Sequence, residues 1–217
     1  MSKNKKYINI ACVILIIIIV VILFYYIKNN YLGVKSNKSN KTNITIFGSS
    51  KININKKYFE KSRELITKLN EHKNTINVVY GGGSQGLMGE IALFKGNIIS
   101  SNITKFTEHS VEDEYVFDNI HDRQRKLTEL GDMYIILPGG YGTIYELMEV
   151  LTLNDIKEIK KPIIMYNIDN FFDGFINYFD ELSQKGFLSY KLNDLNVRVS
   201  NNPIEVINFI TQMKSKN

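Results

Sequence analysis

Three short apolar runs, at residues 43–47, 77–80 and 133–137, each end in glycine, and each is followed by residues spaced for a helix. This alternation constrains the fold more than any other feature of the chain. Strands buried on both faces read as continuous apolar runs, and short strands alternating with helices imply a parallel sheet covered on both sides. Residues 97–100, 162–166 and 196–199 read as three further strands. Tyr58, Leu65, Ile66 and Leu69 recur at helical spacing, and helices are predicted over 87–94, 119–130, 143–159, 171–184 and 203–213. Glu112-Asp113-Glu114 reads as an exposed loop. The expected fold class is therefore α/β, a doubly wound, Rossmann-like parallel sheet, preceded by one N-terminal transmembrane helix.

That helix comes from residues 8–27, INIACVILIIIIVVILFYYI, in which Asn9 is the one strongly polar side chain. About 20 apolar residues cross the hydrocarbon core of a bilayer, and Tyr25 and Tyr26 stand where amphipathic rings favour the interface. A signal peptide would have a shorter apolar region and a small-residue cleavage site, and a core helix would show a polar face. The expected organisation is a basic tail at 1–7, an anchor at 8–27, a polar linker at 28–41 and a catalytic domain at 42–217. Lysines flank both ends of the apolar run, so the positive-inside rule gives no orientation. The chain has a single cysteine, Cys12, which allows no disulfide framework and no zinc cluster. A reducing, cytosolic side is thus expected for the domain at a membrane. The net charge of +5 owes much to lysines before residue 42, and no clustered basic face suggests nucleic-acid binding.

Ligands of open parallel sheets bind beyond the carboxyl ends of the strands. In this chain those ends carry Gly48, Gly81-Gly82-Gly83 and Gly139-Gly140-Tyr141-Gly142. Glycine-rich turns that open a helix bring backbone N–H groups and the helix dipole to an anion, so two such starts suit a phosphorylated ligand. Tight turns alone would also explain any one loop. The dinucleotide fingerprint lacks its acidic partner, and no Walker A lysine is present.

Thr143-Ile144-Tyr145-Glu146 fits a capping box, in which Glu146 would bond its own helix start; the same glutamate also stands at a glycine-rich strand end. Glu149 follows on nearly the same face. Within His121-Asp122-Arg123-Gln124-Arg125-Lys126, most residues read as a solvated helix face, and one arginine aimed at the sheet edge would anchor a phosphate or sugar.

Several segments together resemble the LOG family of phosphoribohydrolases. LPGGYGTIYELMEVLT resembles the family signature PGGxGTxxE, VVYGGGSQGLMGEIA resembles YGGGxxGLMG, and IHDRQRKL is similar to MHERKxxM. FGSS and KKPIIMYNIDNFFDGFINYFDELSQKGFL follow the family pattern in order and spacing. The sequence departs from it at Gln124, where the family has lysine, in a short 89–96 stretch, and at 101–105, which lacks a proline. The resemblance implies a homodimeric hydrolase that splits a purine riboside 5′-monophosphate, N6-modified or not, into free base and ribose 5-phosphate, without metal or cofactor. It implies catalytic roles for Glu146 and Arg123, and an auxiliary role for Glu149. It places Gly48, Ser49, Gly82, Gly83, Gly139, Gly140, Gly142 and Thr143 against substrate and phosphate. Members often carry a lysine decarboxylase label, which fits poorly because no lysine of these motifs stands where a Schiff base is suggested. The alternatives are a membrane-tethered nucleotide-binding module without turnover and a general AMP or GMP nucleosidase.

Overall fold

The computed structural model describes residues 16–23, 41–106, 111 and 113–214. It divides into two units, residues 1–39 and 40–217. In the first, residues 16–23 are helical with exposed apolar side chains. The remainder of the predicted 8–27 span lies outside the described residues, and no helix among the described residues is long and apolar enough to cross a membrane.

The second unit is built on seven strands: β1 (Thr42–Phe47), β2 (Ile76–Tyr80), β3 (Ile98–Ile103), β4 (Asp113–Phe117), β5 (Met133–Ile136), β6 (Ile163–Tyr166) and β7 (Val197–Ser200). Its helices are α1 (Lys56–Asn70), α2 (Gly86–Ile91), α3 (Ile120–Leu130), α4 (Tyr141–Asp155), α5 (Asp173–Gln184) and α6 (Pro203–Lys214). The strands run in the order β4-β3-β2-β1-β5-β6-β7, and every pairing is parallel.

Alternate residues of each central strand enter opposite apolar layers. Ile44, Ile46, Val78, Tyr80 and Ile135 pack with Leu65, Ile66 and Leu69 of α1 and with Val206 and Ile210 of α6. Phe47, Val79, Tyr134 and Ile136 pack on the other face with Leu127 of α3 and Leu147, Val150 and Leu151 of α4. Both faces are apolar, which is why the strands read as unbroken hydrophobic runs.

The strand order reverses at β1, whose neighbours are β2 on one side and β5 on the other. At such a switch point the connections leave in opposite directions and open a crevice. The loop after β1 and the loop after β5 meet there: Leu137 N donates to Phe47 O at 2.8 Å and Ser49 N to Pro138 O at 3.2 Å.

Two expectations from sequence are corrected. Asp113 and Glu114, expected in a loop, belong to the edge strand β4, whose side chains are largely exposed. An edge strand with only one neighbour has no second apolar layer to match, so its sequence carries no buried-strand signal. Helix α4 begins at Tyr141 with Gly140 as N-cap, not at Thr143. Thr143 therefore lies within the first turn, and the capping box does not form.

Helix α4 also ends early, at Asp155, because Lys157 takes a left-handed conformation with φ 63°. Glycine usually fills this position, since it alone carries no Cβ to crowd the carbonyl. Lys157→Gly is therefore expected to raise the thermal midpoint by roughly 2–4 °C, measured by calorimetry. A lowered midpoint would mean that the Lys157 contact with the Tyr190 ring outweighs the backbone strain.

Candidate active site

Arg123 and Glu146 meet at the carboxyl end of the sheet. Arg123 comes from α3 and Glu146 from α4, so two helices that pack on the same face of the sheet bring them together. Arg123 Nη1 donates to Glu146 Oε1 at 2.7 Å, and the two side chains are 11% and 9% exposed. Arg123 Nε also donates to the carbonyl of Ser101 at 3.0 Å, and Ser101 Oγ donates back to the carbonyl of Arg123 at 3.1 Å. These bonds hold the guanidinium at the end of β3. Burial pushes the Glu146 carboxyl above the usual glutamate range; the adjacent Arg123 pulls the other way, and Glu149 adds to the rise.

The guanidinium lies directly over Gly81. A Cβ built at Gly81 would stand 2.1 Å from Arg123 Nη2. Gly81 is thus a site residue by virtue of having no side chain. In the sequence Gly81 stands only as part of a glycine turn, and its place as first of the three glycines after β2 is the one signal of this role. Gly81→Ala is expected to displace the guanidinium and lower turnover about 10²-fold, the usual result of moving a positioned group by about 1 Å. Its thermal midpoint should fall as well, though less than in a variant lacking the arginine, because the guanidinium it displaces is bonded to Glu146 and to the carbonyl of Ser101. Wild-type kinetics in this variant would show that the position of Arg123 is immaterial.

The remaining predicted residues fall into two groups. At the start of α4, Gly139 packs so tightly on Thr143 that a Cβ would meet its Oγ1 at 2.0 Å. Gly140 and Gly142, in contrast, face open space, with nothing within 4 Å of an added Cβ. No side chain caps this helix start, no acidic residue lies in its first turn, and Tyr141 is 99% exposed. The second group is engaged within the protein. Ser49 O accepts from Leu87 N at 2.7 Å and Met88 N at 3.2 Å, and Ser49 Oγ accepts from Lys51 N at 3.0 Å. The start of α2, expected to receive an anion, is therefore already capped by the loop after β1. Gly48 lets that loop pass close to Leu137, and Gly82, at φ 77°, turns the chain beside Asn102.

Arg123 also borders a cavity of about 720 Å³. Gly81, Gly83, Asn102 and Arg123 line it, together with residues 50–54 after β1 and with Lys105 and Phe106 after β3. Glu149 lies deeper between α3 and α4. Its Oε1 accepts from Thr128 Oγ1 at 3.4 Å, while Oε2 is buried without a partner. The buried amide of Gln124 lies beside it, and neither of its polar atoms makes a well-formed hydrogen bond. Burial raises the Glu149 carboxyl as well, opposed by Gln124 and Thr128. Among the described residues no group of three or more His, Cys, Asp or Glu is placed to hold a metal ion.

The chain is thus an α/β protein with a doubly wound parallel sheet, a buried arginine–carboxylate pair at its switch point and, beside it, an open glycine-rich helix start of the kind that receives anions. The family described as "Possible lysine decarboxylase" matches residues 80–210. The chain is 31% identical over 179 residues to cytokinin riboside 5′-monophosphate phosphoribohydrolase LOG2 of Arabidopsis thaliana, covering 78% of this chain and 83% of the relative. It is 32% identical over 155 residues to LOG1 of the same plant, covering 67% and 72%. The chain belongs to this family, and its relatives are the LOG phosphoribohydrolases. Among solved structures, the molybdenum cofactor carrier protein of Chlamydomonas reinhardtii superposes with a TM-score of 0.57 at 18% identity, over 81% of this chain and 99% of that one. The molybdenum cofactor binding protein of Rippkaea orientalis gives 0.54 at 20% identity, over 80% and 97%. At these identities the likeness is one of fold.

Proposed function

We propose that this protein hydrolyses the N-glycosidic bond of purine riboside 5′-monophosphates, giving free base and ribose 5-phosphate. The observation that carries the reading is the Arg123–Glu146 pair, buried one helical turn below the uncapped start of α4. The names of the relatives agree with it. Backbone N–H groups at Gly140 to Thr143 take the 5′-phosphate, and the absence of side chains at Gly140 and Gly142 allows its close approach. The ribose then lies against Glu146. As the C1′–N9 bond breaks, its electron pair leaves with the purine and positive charge grows on the ribose; the Glu146 carboxylate stabilises that charge and orients a water, as in glycoside hydrolysis. The water oxygen bonds to C1′, and a proton from it ends on the base. Arg123 holds Glu146 and faces the base side.

Among the described residues, a lysine-based decarboxylation finds no matching group. Burial lowers the ammonium pKa of Lys161, and its Nζ donates to the carbonyls of Thr128 and Glu129, ahead of β5 and β6 at the amino end of the sheet.

The same reading includes a single-pass membrane anchor at residues 8–27 with the catalytic unit on the cytosolic side, supported by the length and apolarity of that run. It includes a homodimer, supported by the exposed Val116, Ile120, Tyr141 and Tyr145. The deciding assay is base release by the full chain from AMP and N6-isopentenyl-AMP. Release from either supports the reading; binding of both without release would leave a nucleotide-binding module.

A further inference from the structure

We propose that the cavity beside Arg123 takes a purine whose outer edge carries a carboxylate. The proposal rests on the reading that the 5′-phosphate occupies the start of α4. Arg123 touches Glu146 and also lines the cavity of about 720 Å³, so with the phosphate there and the ribose at Glu146 the base is directed into that cavity. That volume is in the upper part of the range of small-molecule sites, roughly 300–1,000 Å³, and leaves room for a substituent beyond the purine rings.

The walls define what that substituent is. Ile52, Ile54, Met88 and Phe106 supply apolar surface for a ring. Lys51 and Lys105 stand on the same walls, and no acidic residue lines them among the described residues. Arg123 borders the cavity too, but its charge is matched by Glu146 at 2.7 Å. Neither Lys51 nor Lys105 has an ion-pair partner among the described residues. Asn102 and Gln85 offer amides that suit the polar edge of a neutral base. Two ammonium groups without an ion-pair partner among the described residues, in a concave, partly apolar wall, concentrate positive potential where the base ends. A neutral base leaves that potential unused, whereas a carboxylate on its exocyclic nitrogen meets it.

The test compares AMP, N6-isopentenyl-AMP and N6-(1,2-dicarboxyethyl)-AMP with the full chain and with the double variant Lys51→Glu/Lys105→Glu. The dicarboxyethyl nucleotide is expected to exceed AMP in kcat/KM about tenfold, as two partly exposed ion pairs would provide. That excess should vanish in the double variant and shrink at high salt. An equal loss for all three nucleotides would show that the lysines serve the 5′-phosphate, and a preference for the isopentenyl nucleotide would show a neutral pocket; either result overturns the proposal. If AMP is cleaved and the dicarboxyethyl nucleotide is not, the proposal falls and the hydrolase reading stands. If none is cleaved, the hydrolase reading falls, and calorimetric binding decides the proposal. Tighter, lysine-dependent binding of the dicarboxyethyl nucleotide upholds it, and equal binding refutes it.

Discussion

Glu146→Gln is expected to lower base release by about 10²–10³-fold while the protein stays folded, because a neutral amide stabilises a developing ribosyl cation poorly. The side chain keeps its shape, and its amide oxygen can still accept from Arg123, so the contact between α3 and α4 persists. Steady-state assays with AMP, together with a near-UV circular dichroism spectrum, separate loss of chemistry from loss of fold. Undiminished turnover would remove Glu146 from the mechanism. The wild-type pH profile bears on the same residue. Burial raises the Glu146 carboxyl above its ordinary value of 4.5 despite the opposing pull of Arg123. If the ionised form is the active one, the acid limb of kcat/KM falls at a pH above that value, and the residual activity of Glu146→Gln lacks that limb.

Arg123→Ala should produce the largest change in stability, about 3–5 kcal/mol, because it leaves a buried carboxylate without its cation. In this domain that corresponds to a fall in thermal midpoint on the order of 10 °C. The loss should depend on pH in a defined direction. Removing the arginine takes away the influence that lowers the Glu146 pKa, so the folded state binds a proton more readily than the unfolded one. The deficit is then small at acid pH, where Glu146 is protonated in both folded proteins, and grows as pH rises past the wild-type folded value, above which only the wild type holds an ionised Glu146 beside its cation. The double variant Arg123→Ala/Glu146→Ala should recover part of the loss, since it removes the unmatched charge as well. A double variant as unstable as the sum of the singles would show that the two residues contribute independently.

The apolar runs and helical spacings made six of the seven strands and the order of the helices legible, because burial on both faces leaves a sequence pattern. β4 left none, since its exposed side chains respond to solvent and its pairing is through backbone. The site was legible as a set of candidates. Glu146 and Arg123 were readable through the motifs around them, but the start of α4 was misplaced, because a glycine N-cap offers no side chain to announce it. Ser49 and Gly82 were expected against the ligand, and the structure shows their local tasks: one caps α2, the other turns the chain beside Asn102.

What the sequence determined by itself was local and periodic: parallel strands from their unbroken apolarity, turns from glycine, and the helices to which Arg123 and Glu146 belong. What only the tertiary structure decided was which of these meet. Arg123 and Glu146 lie 23 residues apart on separate helices. They become a pair because β5 crosses to the far side of β1 and sets α3 beside α4. Gly81 is needed because that packing lays a guanidinium across the end of β2. Such contacts depend on strand order, a long-range property that no window of sequence encodes.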